Sequence, residues 1–217
     1  MHLMTKRINS DNLITALATQ GYAITDQALP LDLLTQLAQE ALNLQKTGAM
    51  QRARTGKTPN ASSINALRGD FTYWLEENDT RESNAARAYL EHMQAVKLSI
   101  NRALFLGLFD FETHFTIYPA GSSYSKHLDQ FQQNKSQLNT NGQRKVSTIL
   151  YLNENWQSQD GGQLRLYLDN GVKSNSYLDI EPTVGKLVLF LSEQFWHEVL
   201  PAQRDRISLT GWFSTRS

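Results

Sequence analysis

From about residue 111 onward the chain reads as one short β run after another, and this series constrains its fold more than any other feature. Runs at 111–118, 144–153, 163–168, 176–180, 186–191 and 206–214 are rich in β-branched and aromatic residues. Turn signals separate them: Pro119-Ala120-Gly121, Asp160-Gly161-Gly162, Asp169-Asn170-Gly171 and Pro182-Thr183-Val184-Gly185. Many short strands in series predict a sandwich or a barrel. The first part of the chain carries a helical period instead. Ser10 and Asp11 stand where they would cap a helix with Leu13, Ile14, Leu17 and Ala18 on one face. A short strand is expected over 21–25. Pro30 then introduces a second helix with the stripe Leu33, Leu34, Leu37, Ala38 and Leu42. A third helix is expected over 82–105, with Ala86, Tyr89, Leu90, Met93, Val96 and Ile100 facing inward. Residues 50–67 have neither period and read as a mobile loop. The expected fold class is therefore α+β, mainly β, with helices packed against a β core. It is read as one domain over 1–217, with helical support in 1–105 and the β core in 111–215.

Composition excludes several functions. Twenty-one basic side chains balance 21 acidic ones, so bulk electrostatics gives no reason to expect nucleic acid or anionic lipid as a partner. The chain has no cysteine, which removes disulfides, thiolate metal sites and a cysteine nucleophile. Any metal must be held by nitrogen and oxygen. No apolar run approaches the ~18 residues of a membrane helix, and Met1–Arg7 lacks the apolar block of a signal peptide. The expectation is a cytoplasmic protein, with a monomer as its simplest oligomeric state.

The first chemical signal is His127-Leu128-Asp129. On a strand, residues i and i+2 share a face, so an imidazole and a carboxylate would be presented together. With five histidines, such a pair arises by chance in roughly one sequence in four, so the pair alone decides nothing. His197 supplies a second imidazole. Two imidazoles and one carboxylate form the facial triad of non-heme iron(II) oxygenases and cancel one of the metal's two charges. Arg206 follows in a run where Arg206, Ser208, Thr210 and Trp212 alternate with Ile207, Leu209 and Phe213. If the apolar set faces a core, the arginine faces inward and needs an anion, for which its planar fork suits a carboxylate. Tyr118 and Tyr151, near the ends of their runs, could each donate a phenolic hydrogen bond to that anion.

Taken in order, these residues resemble the iron(II)- and 2-oxoglutarate-dependent oxygenases of the prolyl 4-hydroxylase type, in the subgroup of the oxygen-sensing prolyl hydroxylases and their bacterial relatives. The resemblance runs through Tyr118-Pro119, Gly121, Tyr124, His127-Leu128-Asp129, Arg144-Lys145-Val146 and Leu150-Tyr151-Leu152-Asn153. It continues through Trp156, Asp160-Gly161-Gly162, His197-Glu198-Val199, Pro201, Arg206, Thr210 and Trp212, with Arg68-Gly69-Asp70 and Trp74 upstream. It implies a double-stranded β-helix of eight antiparallel strands with N-terminal helices on one sheet. It implies His127, Asp129 and His197 as iron ligands. Arg206 would pair with the far carboxylate of 2-oxoglutarate, supported by Tyr151, with Tyr118 and Thr210 beside the cosubstrate. Tyr124, Arg144, Trp212 and Asp70 would lie on the substrate side, with Asp70 and Arg144 paired across the rim. The implied reaction is hydroxylation of a prolyl residue in a protein, consuming dioxygen and releasing succinate and carbon dioxide, with ascorbate as reductant. Hydroxylation of a free amino acid or other small molecule, or a non-catalytic metal-binding β-helix, are the alternatives. The cations Arg52, Arg54 and Lys57 could meet an acidic protein surface.

Overall fold

The structure is a computed structural model and describes residues 10–53, 68–76, 83–130, 142–169 and 176–216. Among the described residues three helices precede most of the strands: α1 (Ser10–Gln20), α2 (Leu31–Lys46) and α3 (Asn84–Leu104). Short strands β1 (Tyr22–Thr25), β2 (Gln51–Arg52) and β3 (Phe71–Leu75) lie among them. Then come β4 (Leu108–Tyr118), β5 (Tyr124–His127), β6 (Arg144–Tyr151), β7 (Leu164–Tyr167) and β8 (Tyr177–Ile180). The series ends with β9 (Leu187–Leu191), β10 (His197–Val199) and β11 (Arg206–Thr215). They form a large sheet ordered β1-β9-β6-β11-β4-β3-β2 and a small one ordered β5-β10-β7-β8, every strand pair antiparallel. This is the double-stranded β-helix, with the helices on the outer face of the large sheet.

Period-2 alternation divides the large sheet between two cores. Ile207, Leu209 and Phe213 of β11, Phe115 and Ile117 of β4, and Leu187 and Leu189 of β9 face the helices, where they meet Leu17, Leu37, Tyr89 and Met93. The other parity faces the small sheet: Tyr118, Ile149, Tyr151, Val188 and Phe190 pack with Leu164, Leu166, Ile180 and Val199. The interior of the sandwich therefore receives Arg206, Ser208, Thr210 and Trp212 from β11, as the alternation predicts.

The helices form where the periodicity places them, with their phase adjusted. Ser83 caps α3 by accepting a hydrogen bond from the Ala86 amide at 3.0 Å. In α2 the buried residues are Leu34, Leu37 and Ala41, while Leu42 is left exposed. In α1 Leu13 and Leu17 are buried and Ala18 is exposed. Four of the described strands lie outside the β runs expected from the sequence: β5, β10 and the pair β2 and β3. Gln51–Arg52, inside the expected loop, pairs with Phe71–Leu75, which in turn edges β4. Residues 54–67 of that loop, with Arg54 and Lys57, and the Asn170-Gly171 part of the expected turn lie outside the described residues. No helix among the described residues is long and apolar enough to cross a membrane.

Candidate active site

β5 and β10 are neighbours in the small sheet, and their register sets His127 directly opposite His197. β5 ends at His127, so Asp129 sits in the following bend and not on the strand as expected. The bend still returns its carboxylate to both rings. Asp129 Oδ1 lies 3.6 Å from His127 Nε2, and Oδ2 lies 3.6 Å from His197 Nε2. One ligand atom from each of the three residues falls within 4.8 Å of the others.

The hydrogen bonds behind the rings decide what they offer. His127 Nδ1 is 2.8 Å from the Ser125 carbonyl, and His197 Nδ1 is 3.1 Å from the Phe195 carbonyl. A carbonyl only accepts, so Nδ1 carries a proton in each ring and both Nε2 atoms are turned toward Asp129. Backbone partners of this kind fix tautomer and orientation at metal-bound histidines. Burial, with the His127 imidazole beside it, pulls His197 down to about 4 against the opposing pull of Asp129, so that ring is neutral at pH 7. Burial works against the Asp129 charge, but the two imidazoles and the Ser147 hydroxyl outweigh it and hold the carboxyl well below its usual range. Two imidazole nitrogens and one carboxylate, with no thiolate, match the donor set of a non-heme iron(II) site.

The triad opens into a cavity of about 750 Å³ that Arg206 also lines. Arg206 begins β11 opposite Tyr118, the last residue of β4, and is 1% exposed. Its Nε donates to the Gly162 carbonyl at 2.9 Å and its Nη2 to the Tyr151 hydroxyl at 3.2 Å. Among the described residues no carboxylate pairs with it. A buried guanidinium without a counter-anion is costly unless a ligand supplies one. Burial pushes the phenols of Tyr151 and Tyr118 up, so both remain protonated donors beside it. A dicarboxylate with one end on this fork and the other toward the triad fits the cavity's chemistry.

The remaining walls are aromatic and cationic. Tyr124 stacks on His127 with ring centroids 3.7 Å apart. Trp74 and Trp212 flank His114 at 4.6 and 5.6 Å. Arg144 lies over the Trp212 ring at 3.7 Å and donates to Glu112 at 2.6 Å. Thr210 lines the cavity and accepts from Thr116 at 3.3 Å. Tyr118, Tyr124, Thr210, Arg144 and Trp212 are thus brought to the cavity with the triad and Arg206. Asp70 is not. It is fully buried and pairs with Arg68 at 2.5 Å, and the expected Asp70–Arg144 pair does not form, because Glu112 takes Arg144 instead. Arg68, over the Tyr124 ring at 4.6 Å, is the cation Asp70 supports. Sequence reading did not single out His114 or Ser147, although their inward parity with Tyr118 and Tyr151 is visible in the runs that carry them.

Comparison with known proteins agrees with this chemistry. Residues 113–214 match the 2OG-Fe(II) oxygenase superfamily. Over nearly the whole chain the structure resembles a prolyl-4-hydroxylase of Pseudomonas putida, with TM-score 0.80 and 42% identity, covering 96% of this chain and 100% of that one. The chain belongs to the 2OG-Fe(II) oxygenase superfamily. This oxygenase also resembles a prolyl hydroxylase from Trichoplax adhaerens, solved with a hypoxia inducible factor peptide fragment, at TM-score 0.80 and 30% identity over 94% of this chain and 88% of that one. A hypoxia-inducible factor prolyl hydroxylase of Caenorhabditis elegans is 29% identical over 97% of this chain, which spans 29% of that protein's length.

Proposed function

We propose that this oxygenase uses iron(II), 2-oxoglutarate and dioxygen to hydroxylate a prolyl residue in a protein substrate, releasing succinate and carbon dioxide. The observation that carries it is Arg206: a buried guanidinium without a carboxylate partner among the described residues, in the same cavity as a His127/Asp129/His197 cluster. The prolyl hydroxylases among its relatives support the substrate class. When bound, ferrous iron with 2-oxoglutarate supplies the oxidative chemistry that couples cosubstrate decarboxylation to insertion of oxygen into a C–H bond.

The chain's own residues do the rest. His127 and His197 offer Nε2 lone pairs held in place by backbone carbonyls, and Asp129 supplies the single negative charge. Arg206 and Tyr151 bind one end of the cosubstrate in a fixed fork, so its reactive end is presented in one pose. Tyr118 adds a phenolic donor. Tyr124, Trp74 and Trp212 give the mouth flat apolar walls that suit a pyrrolidine ring and exclude water from the reacting centre. Arg144 is held against Trp212 by Glu112 and keeps further N–H groups for a peptide backbone. Ascorbate as the reductant that keeps the iron ferrous, and a cytoplasmic location, belong to the same proposal. The test compares host proteins from a wild-type and a His127→Ala strain by mass spectrometry. A +O modification on proline that is present only in the wild type is the expected result. The reading fails if the purified protein with Fe(II) makes no succinate from 2-oxoglutarate in the presence of extracts of that host.

A further inference from the structure

Two buried serines meet the metal cluster from the side of the opposite sheet. Ser147 lies on β6, between Trp212 of β11 and Phe190 of β9, and is 1% exposed. Its Oγ is 2.7 Å from Asp129 Oδ2 and 2.8 Å from Ser192 Oγ, and Ser192 is fully buried just beyond β9. The carboxylate can only accept, and each hydroxyl has one proton. Ser147 therefore donates to Asp129, and Ser192 must donate to Ser147. The direction of the chain Ser192→Ser147→Asp129 follows from that count, and hydrogen bonds in series polarise one another.

Its placement is informative. His127 and His197 come from the small sheet, and Asp129 from the bend after β5, whereas Ser147 comes from the large sheet and Ser192 from the turn just beyond β9. The Ser147–Asp129 bond is thus a polar tie across the sandwich, at the metal cluster. It engages Oδ2, the oxygen 3.6 Å from His197 Nε2, while Oδ1 lies 3.6 Å from His127 Nε2. In a neighbourhood that includes Phe190 and Val188, pairing offsets the cost of burying two hydroxyls, and here the final acceptor is a metal ligand.

We infer that Ser147, backed by Ser192, is a positioning residue for the metal centre: it holds the Asp129 carboxylate in the rotamer that turns it to the two imidazoles. The inference rests on the metal-site reading above. Loss of a partner to a ligating carboxylate typically weakens metal binding by about 10–100-fold. The test titrates Co(II) into metal-free wild-type, Ser147→Ala, Ser147→Thr and Ser192→Ala proteins by calorimetry. The Co(II) ligand-field spectrum and the thermal unfolding of each metal-free protein are recorded alongside. Ser147→Ala is expected to weaken Co(II) binding by about 10–100-fold and to shift the ligand-field bands. Ser147→Thr, which keeps the hydroxyl, restores both, and Ser192→Ala, which keeps the Ser147 donor, falls between. Unchanged Co(II) affinity and spectrum in Ser147→Ala overturn the inference, even if its metal-free form unfolds at lower temperature. A wild type that binds no Co(II) overturns the metal-site reading and this inference together.

Discussion

Arg206→Met separates the cosubstrate role of this residue from its structural one, because the two effects have different sizes. A dicarboxylate on the guanidinium fork makes two charge-assisted hydrogen bonds, each worth about 1.5–3 kcal/mol in a buried setting. Removing the fork then costs about 3–6 kcal/mol of 2-oxoglutarate binding, a loss of roughly 10²–10⁴-fold. The free protein responds differently. Methionine leaves the Gly162 carbonyl without its 2.9 Å donor, a cost of about 1–3 kcal/mol. Against this, the variant no longer buries a charge that lacks a carboxylate partner among the described residues, whose desolvation costs several kcal/mol. The two terms oppose, so stability of the ligand-free protein is expected to change by under about 2 kcal/mol, a few degrees in Tm for a chain of this length.

The assay is calorimetric titration of 2-oxoglutarate into Mn(II)-loaded wild type and variant, with thermal unfolding of the ligand-free proteins in parallel. Arg206→Lys keeps the charge without the planar fork and is expected to fall between wild type and Arg206→Met. Binding of 2-oxoglutarate by Arg206→Met within a few-fold of wild type would refute the reasoning. So would a large loss of ligand-free stability with cosubstrate affinity intact, since it would make the arginine a structural group.

Two more perturbations test the surroundings of the site. Gly162 has φ +68°, and a Cβ there would lie 2.9 Å from Ala202 Cβ, 3.1 Å from Trp156 Cζ2 and 3.3 Å from Arg206 Cδ. Gly162→Ala should therefore cost about 1–3 kcal/mol of stability and, by displacing Arg206, raise the KM for 2-oxoglutarate more than it lowers kcat; an unchanged KM would contradict this. His114 is buried between two tryptophans, and burial lowers it from 6.5 to about 4. Between those values the unfolded chain binds a proton that the folded protein refuses, so stability falls as pH drops through the window and is fully present above it. The full contribution approaches about 3 kcal/mol at pH 4. His197, lowered to a similar degree, acts in the same direction, so the contribution of His114 is read as the difference between wild type and His114→Asn. Urea unfolding of the metal-free proteins at pH 7.5 and 5 should show the wild type losing more stability, and equal losses would show that His114 is not the buried neutral group.

The fold was legible wherever one strand carries two faces with different tasks. In β11, Arg206, Ser208, Thr210 and Trp212 alternate with Ile207, Leu209 and Phe213, because one face meets the small sheet and the other meets helices, and this imposes a period on the residues themselves. The helix stripes were legible in kind but not in phase. Leu42 lies at the margin of the α2 stripe, and Ala41 takes the inward position because the neighbouring sheet, not the hydrophobicity of one residue, decides which part of the stripe is covered. β2 and β3 were not legible. Two residues carry no period, and Phe71–Leu75 is a strand because β4 offers it an edge, a fact held in residues some forty positions away.

The site divides along the same line. His127, Asp129, His197 and Arg206 are readable because their chemistry demands those residue types at ordered places along the chain. Partners chosen by distance are not readable. Glu112 takes Arg144 from Asp70 because antiparallel register brings β4 and β6 to either side of Trp212, and nothing in the local sequence near 144 encodes that proximity. Asp129 shows the limit of periodicity from the other side: it shares a face with His127 by i, i+2 logic, yet it reaches the site from a bend. What secures it there is Ser147, a residue whose type is unremarkable and whose position becomes chemical only when the two sheets close. Ligand types are therefore written in the chain, whereas the groups that aim them are written in the register between strands.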